Sequence, residues 1–181
     1  MGQEDDDKRV TVSWFPNSEL EADLENIPLR ILIAEDDDAS RGLLKRSLAS
    51  KGYSVIAAEN GEKAWEIIQD ERDPPELAIL DWMMPGVDGI ELCRRIKKRG
   101  NPFVYTILLT AKSENADIIA GLEAGAHEFL TKPFDIHVLW ARVAAGGRIV
   151  RLEKALTIKS SILEDYADKL ERQTRDLVKK S

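Results

Sequence analysis

The chain has 181 residues and a formal net charge of -7, with 43% hydrophobic and 33% charged residues. This length allows one domain of ordinary size with an extension, and the composition is typical of a soluble globular protein rather than a disordered one. No apolar run approaches the roughly 20 residues of a membrane span, and the single cysteine, Cys93, excludes an internal disulfide framework or a four-cysteine zinc site. We therefore expect a cytoplasmic protein that is not associated with a membrane.

The first 28 residues are acidic. They hold eight acidic and two basic residues, so most of the net charge belongs to them. Charged termini of this kind are commonly solvated tails, and we predict a flexible N-terminal arm at residues 1–28. The rest of the chain is nearly neutral, and the net charge therefore says little about a binding partner.

From Leu29 onward, short apolar runs alternate with segments of helical spacing, and turn residues separate them. Runs without polar alternation indicate strands buried on both faces, as in a parallel sheet. The expected strands are residues 31–34, 55–58, 77–80, 104–109 and 129–130. Strands that alternate with helices predict a doubly wound α/β domain, with helices on both faces of the sheet, at residues 29–147.

The segment after Pro133 contains no further proline and carries a heptad pattern. Aliphatic residues recur every seven positions, and the companion positions are mixed, with Lys159 and Gln173 among them. The pattern predicts a coiled-coil stalk at residues 148–181 that joins two copies of the chain, through Ile149, Leu152, Leu156, Leu163, Tyr166, Leu170 and Leu177. The alternative is a single amphipathic helix folded against its own domain.

Two further features of this segment indicate a regulated stalk. The pair Gly146-Gly147 interrupts the helical pattern at a cost of about 1 kcal/mol for each glycine relative to alanine, which indicates a joint. Ala155, Ile158 and Ile162 form part of a second apolar seam. A coiled coil with two registers could rotate, and we hypothesise that the stalk does so.

Charged and polar residues follow most of the expected strands. Open α/β sheets bind ligands at the carboxyl ends of their strands, where the strand order reverses. In a sheet of order 2-1-3-4-5 this point lies between strands one and three, so Glu35, Asp36 and Asp81 should face one another. Carboxylates about 4 Å apart repel by about 4 kcal/mol at an effective dielectric of 20, which predicts a bound cation, and oxygen ligands suit Mg²⁺.

The fourth and fifth strands end in Thr110 and Lys132, whereas the second strand, which ends at Glu59-Asn60, is not expected to contribute. A hydroxyl donor and an ammonium opposite carboxylates and a divalent ion form a set suited to phosphoryl transfer. Asp81 is the natural nucleophile of an aspartyl-phosphate reaction.

Each of these residues has a more ordinary interpretation when it is taken alone. An acidic triplet before a helix is often a cap, and aspartate, proline and glycine favour turns. A haloacid-dehalogenase-type phosphatase with Asp36 as nucleophile is a remote alternative, because residues 36–40 roughly fit its Asp-x-Asp-x-Thr motif. Such enzymes also need a downstream acidic pair, and Asp81 and Asp88 do not reproduce it.

Four segments resemble the receiver domain of two-component response regulators. They read ILIAEDD at residues 31–37, LDWMMPG at 80–86 with Gly89 beyond it, LLTA at 108–111 and FLTKPF at 129–134. The resemblance covers about residues 29–145 and implies a flavodoxin-like fold with a five-stranded parallel sheet of order 2-1-3-4-5. It also implies a regulatory phosphoacceptor domain, with only Mg²⁺-dependent self-phosphorylation and autodephosphorylation as its chemistry.

The resemblance assigns a role to each site residue. Asp81 becomes the phosphoacceptor, which a histidine kinase or phosphotransfer protein charges. Lys132 and Thr110 contact the phosphoryl group, Thr110 and Phe129 form the switch, and the Lys132–Pro133 peptide is cis. The Mg²⁺ ligands are Glu35, Asp36, Asp81 and the backbone carbonyl of Met83.

The output of the switch is not visible in the sequence. Residues 148–181 leave no room for a helix-turn-helix domain, and we expect no specific DNA binding by this chain. We expect an output domain, such as a diguanylate cyclase, to follow Ser181. The alternative is a stand-alone dimeric receiver that acts through protein–protein interactions.

Overall fold

The structure is a computed structural model that describes residues 28–111 and 115–179. The predicted arm lies outside the described residues except for Pro28. Five parallel strands form one sheet in the order β2-β1-β3-β4-β5, as predicted. The strands are β1 (Arg30–Ala34), β2 (Ser54–Ala58), β3 (Leu77–Asp81), β4 (Tyr105–Thr110) and β5 (Glu128–Thr131).

The central strands are buried on both faces because their residues are apolar at successive positions. In β1, Leu32 and Ala34 pack on one side of the sheet, whereas Ile31 and Ile33 pack on the other. The strands β3 and β4 continue both layers. Continuous aliphatic runs, rather than alternating ones, therefore identified these strands in the sequence.

Helices cover both faces of the sheet. They are α1 (Asp38–Ala49), α2 (Gly61–Gln69), α3 (Gly89–Arg99), α4 (Asn115–Ala124) and α5 (Ile136–Lys179). The first and last pack on one face, and the other three pack on the opposite face. Three helices begin with a side-chain cap, because Asp37, Asn60 and Asp88 each accept a hydrogen bond from the amide three residues later, at 2.7–2.8 Å.

The last helix, α5, is unbroken over 44 residues, so the interruption expected at Gly146-Gly147 is wrong. The physical reason is packing. A Cβ atom at Gly146 would lie 2.5 Å from the Tyr105 ring and 3.0 Å from Leu77 Cδ1. Glycine therefore allows α5 to approach the amino ends of β3 and β4 closely, at the conformational cost that glycine brings to a helix.

Beyond Gly147, α5 has two different faces. One face lies against the domain, where Val150 and Ala155 are buried and Lys154 pairs with Glu76. Ile158 lines a groove of about 950 Å³ between this face and the amino ends of the strands. The second apolar seam therefore begins against the chain's own domain, and its use in a dimer would require α5 to leave the sheet.

The other face of α5 carries the heptad series. Its exposed members are Ile149, Leu152, Leu156, Leu163, Tyr166 and Leu170, and the side chain of Leu177 lies outside the described residues. Leu156 and Leu163 are 62% and 58% exposed, so this aliphatic stripe is available to a partner helix. Among the described residues, no helix combines the length and the apolar character needed to cross a membrane.

Candidate functional site

The carboxyl ends of four strands bring the predicted site residues to one edge of the sheet. The parallel register pairs Ala34 with Leu80, so the residues that follow β1 come next to Asp81 at the end of β3. Thr110 ends β4 and pairs with Thr131, which precedes Lys132. The strand order reverses between β1 and β3, where open α/β sheets form a ligand crevice.

Three carboxylates converge in this crevice. Glu35, Asp36 and Asp81 each offer an oxygen atom, and these atoms lie within 4.8 Å of one another. Glu35 and Asp81 are buried, whereas Asp36 is exposed, so the cluster opens to solvent on the Asp36 side. An arrangement of oxygen ligands with an open side could hold a divalent cation that keeps some of its water.

Lys132 joins the two buried carboxylates. Its Nζ atom lies 2.7 Å from Glu35 Oε2 and 3.0 Å from Asp81 Oδ2. Burial raises the pKa of Glu35 above its ordinary value, and the Lys132 ammonium opposes this effect. Burial alone would lower the pKa of Lys132, but its hydrogen bonds to Glu35 and Asp81 outweigh burial and raise it. Among the described residues, the Lys132 ammonium thus contacts two of the three acids, Glu35 and Asp81.

The loop that follows β3 is held against Asp81. The Met83 amide donates to Asp81 Oδ1 at 3.4 Å, and the Met83 side chain is exposed. At the end of this loop, the Gly89 amide donates to the Trp82 carbonyl at 3.1 Å. A Cβ atom at Gly89 would lie 2.3 Å from the Asp81 carbonyl oxygen, so only glycine lets α3 begin this close to the site.

Thr110 and Phe129 occupy neighbouring strands near the cluster. Thr110 is buried, and its carbonyl accepts a hydrogen bond from the Lys132 amide at 2.7 Å. Phe129 pairs in register with Leu108 and packs, half-buried, on the face that α2, α3 and α4 cover. The peptide between Lys132 and Pro133 is cis, as the resemblance implied.

Two residues near the site were missed by the sequence analysis. Arg41, in the first turns of α1, donates through Nη1 to the carbonyl oxygens of Glu35 at 2.7 Å and Asp36 at 3.2 Å. A basic residue near a helix N-terminus opposes the helix dipole, which is a signal that could have identified it. Glu62 accepts a hydrogen bond from the Val87 amide at 3.2 Å.

The end of β2 therefore has a supporting role that was not expected. Asn60 caps α2, and a Cβ atom at Gly61 would lie 1.8 Å from the Val87 carbonyl oxygen. The N-terminus of α2 thus holds the loop that carries Met83. Asp88, by contrast, caps α3 and does not join the carboxylate cluster, so the acidic pair needed by the phosphatase alternative is not assembled from it.

Comparison with known proteins gives a consistent result. The family model of the response regulator receiver domain matches residues 31–144. The chain is 42% identical over 119 residues to the response regulator MprA of Mycolicibacterium vanbaalenii, which covers 66% of this chain and 50% of that protein. It is 42% identical over 115 residues to the transcriptional regulatory protein AfsQ1 of Streptomyces coelicolor, with 64% and 49% covered. The chain spans about half the length of these curated relatives.

Solved structures also match. A putative response regulator from Chloroflexus aurantiacus superposes with a TM-score of 0.61 at 36% identity, covering 67% of this chain and 99% of that chain. The receiver domain of Francisella response regulator 1452 gives a TM-score of 0.62 at 30% identity, with 66% and 97% covered. The matched family is regulatory rather than catalytic. The strand order, the residues at the strand ends and the family match over residues 31–144 agree: the chain belongs to the response regulator receiver domain family.

Proposed function

We propose that this chain is the phosphoacceptor domain of a two-component system, and that Asp81 accepts a phosphoryl group from a histidine kinase or phosphotransfer protein. The observation that carries the proposal is the position of the Asp81 carboxylate. It lies at the end of a buried strand, 3.0 Å from the Lys132 ammonium and within 4.8 Å of the Glu35 and Asp36 oxygen atoms. A nucleophilic carboxylate beside a counter-charge and a cation site is suited to aspartyl-phosphate chemistry.

The donor set fits Mg²⁺. Glu35, Asp36 and Asp81 supply hard oxygen ligands on one side, the other side is open to solvent, and we assign the Met83 carbonyl as a further ligand. When bound, the ion neutralises charge on the transferred phosphoryl oxygens. The repulsion among the three carboxylates, two of which contact the Lys132 ammonium, would be reduced by a bound cation.

The chain's own residues then perform the transfer. An Asp81 oxygen attacks the phosphorus of a phosphohistidine, an acyl phosphate forms, and the phosphorus–nitrogen bond breaks as the imidazole leaves with a proton from solvent. Lys132 moves its hydrogen bonds from Asp81 to the phosphoryl oxygens. The Thr110 hydroxyl, at the end of the neighbouring strand, donates to the same group.

Phosphorylation would replace the single negative charge of the Asp81 carboxylate with a phosphoryl group that carries roughly 1.5 to 2 negative charges. Thr110 moves toward the new oxygens, and Phe129 on the adjacent strand turns into the space that Thr110 leaves. Both residues border the face formed by α4, β5 and α5, so this face is the surface that changes. The unphosphorylated domain visits the same state at low population, because a modification biases an existing equilibrium.

The stalk is the proposed output. The exposed aliphatic stripe from Ile149 to Leu170 is supported as a dimer seam by its strict spacing and by its position on the face of α5 that points away from the domain. We propose that a dimeric stalk controls an output domain beyond this chain, such as a diguanylate cyclase. We propose that the chain itself does not bind DNA specifically. A stand-alone dimeric receiver remains the second candidate, since the same seam supports it.

Acetyl phosphate and intact-protein mass spectrometry test the phosphoacceptor. With Mg²⁺ the wild-type protein should gain the mass of one phosphoryl group, and Asp81→Asn should gain none. Asp88→Asn is the matched control, because asparagine keeps the α3 cap and Asp88 lies outside the cluster. Equal modification of Asp81→Asn and wild type would overturn the assignment of Asp81.

Sedimentation equilibrium tests the stalk. Leu163→Glu places a charge in the exposed seam and should weaken a dimer by at least an order of magnitude, whereas Ser161→Glu, two residues away on an exposed polar face, should not. A wild-type protein that stays monomeric with and without phosphoryl donor would refute the dimeric stalk but leave the phosphoacceptor assignment intact.

A further inference from the structure

Arg41 lies on α1 and contacts the backbone of the two acids that begin the metal site. We propose that Arg41 is a positioning residue, which fixes the segment Glu35-Asp36 so that both carboxylates face Asp81. This inference rests on the proposed function, because it assigns a role in building the Mg²⁺ site. In this role Arg41 acts through the backbone of Glu35 and Asp36, and not by direct contact with the reacting atoms or with the cation.

The geometry of the guanidinium carries the inference. One end donates through Nη1 to the carbonyl oxygens of both Glu35 and Asp36, at 2.7 and 3.2 Å. The other end donates through Nη2 to the Asp38 carboxylate. The Arg41 side chain is only 17% exposed, so these contacts are partly shielded from water. The planar guanidinium presents its donors on separate nitrogen atoms in fixed directions, whereas the three donors of an ammonium share one nitrogen atom on a flexible stem.

The local backbone explains why these carbonyls need a donor. Strand β1 ends at Ala34, and the first carbonyl used by the helix is that of Asp37, which accepts from the Arg41 amide at 2.9 Å. The carbonyls of Glu35 and Asp36 therefore lie between the two hydrogen-bond ladders, and neither ladder satisfies them. The Glu35 amide already donates to the Ala58 carbonyl at 3.2 Å. Arg41 therefore holds the same segment through its carbonyl oxygens.

Positioning and simple charge compensation predict opposite effects on Mg²⁺ binding. A positive side chain beside the acids repels a cation, so its removal strengthens binding if charge alone matters. If Arg41 instead orders the backbone of two ligands, its removal weakens binding, since residues that orient metal ligands typically contribute 10- to 100-fold to affinity. The sign of the change therefore separates the two roles.

The experiment is a Mg²⁺ titration by calorimetry of the full chain, with thermal unfolding in a chelator to show that each variant is folded. Arg41→Gln should bind Mg²⁺ about 10-fold more weakly than wild type. Arg41→Lys, which keeps the charge but loses the fork, should also bind more weakly. Arg46→Gln, the same charge change at an exposed position on the same helix, should bind within about 2-fold of wild type.

The outcomes are distinguishable. Unchanged or tighter binding by Arg41→Gln, or wild-type binding by Arg41→Lys, overturns the positioning role. If Arg41→Gln does not fold, the milder Arg41→Lys decides the question. Failure of the wild-type protein to bind Mg²⁺, or wild-type binding by Asp81→Asn, would count against the proposed function itself rather than against Arg41.

Discussion

Replacing Lys132 with methionine removes the ammonium that faces two buried carboxylates and keeps a side chain of similar length. At an effective dielectric of about 20, each of the contacts at 2.7 and 3.0 Å corresponds to roughly 6 kcal/mol of Coulomb attraction, which desolvation largely offsets. Removing one partner of a buried pair typically costs about 3–5 kcal/mol. Because the Lys132 side chain is 29% exposed, we expect a loss near the lower end, about 3 kcal/mol.

The assay is thermal unfolding of Lys132→Met in a chelator and in Mg²⁺. In the chelator, the midpoint should fall by about 10 °C for a domain of this size. Mg²⁺ at roughly 100 times its dissociation constant should stabilise the wild-type protein by about 2.7 kcal/mol. The variant should gain more stability from Mg²⁺, because the divalent ion replaces the missing positive charge. Lys45→Met, an exposed position on α1, is the control and should change little.

The pH dependence supplies a second readout. Burial already raises the pKa of Glu35, and loss of Lys132 removes the charge that opposes this effect. The folded variant then holds a proton more tightly than the unfolded chain, so its stability falls as the pH rises above the ordinary glutamate value of 4.5. Without Mg²⁺ this fall should be steeper than in wild type. An unchanged midpoint in the chelator, or an equal loss with and without Mg²⁺, would refute the reasoning.

Two further predictions concern packing. Gly147→Ala should stabilise the protein by up to about 1 kcal/mol in urea unfolding, because its Cβ atom would meet side-chain atoms that can adjust, Leu29 Cδ2 at 3.3 Å and Arg151 Nη1 at 3.7 Å. Gly146→Ala should destabilise the protein by about 2 kcal/mol, because its Cβ atom would lie 2.5 Å from the Tyr105 ring. Stabilisation by both substitutions would restore the idea of a joint. Burial raises the pKa of Cys93 to about 12, so a disulfide reagent should label the native protein far more slowly than the urea-unfolded protein, and rapid labelling of the native state would contradict this.

The positions of the cluster residues could be predicted because they follow from topology. Glu35 and Asp81 come directly after aliphatic runs, and the carboxyl ends of parallel strands meet at one edge once the strand order is known. The pattern also located Thr110 and Lys132 at the ends of their strands. No pairwise contact had to be known for this, since strand length and direction alone bring these side chains together.

The supporting contacts could not be read in the same way. Arg41 and Glu62 act on backbone atoms of distant loops, and such contacts depend on the distances between elements rather than on spacing along the chain. Gly146 is another residue whose role depends on a contact that is distant in the sequence. The sequence shows that a glycine at this position weakens the helix. The reason that glycine is needed there is the nearby Tyr105 ring, which only the folded structure reveals.

The unbroken α5 has a consequence for how a signal could leave the domain. The helix begins at Ile136, close in the chain to Lys132 of the acidic cluster. Lys154, which pairs with Glu76, lies at the amino ends of the strands, one strand length of about 16 Å from the cluster, and the helix extends away from the domain beyond it. At this distance a unit charge at the site contributes only about 1 kcal/mol at an effective dielectric of 20. Beyond Gly147 the helix extends for about 48 Å, and a tilt of roughly 5° would move its far end by about 4 Å. If Asp81 is phosphorylated as proposed, we therefore expect a signal to pass along this helix by a change in its orientation.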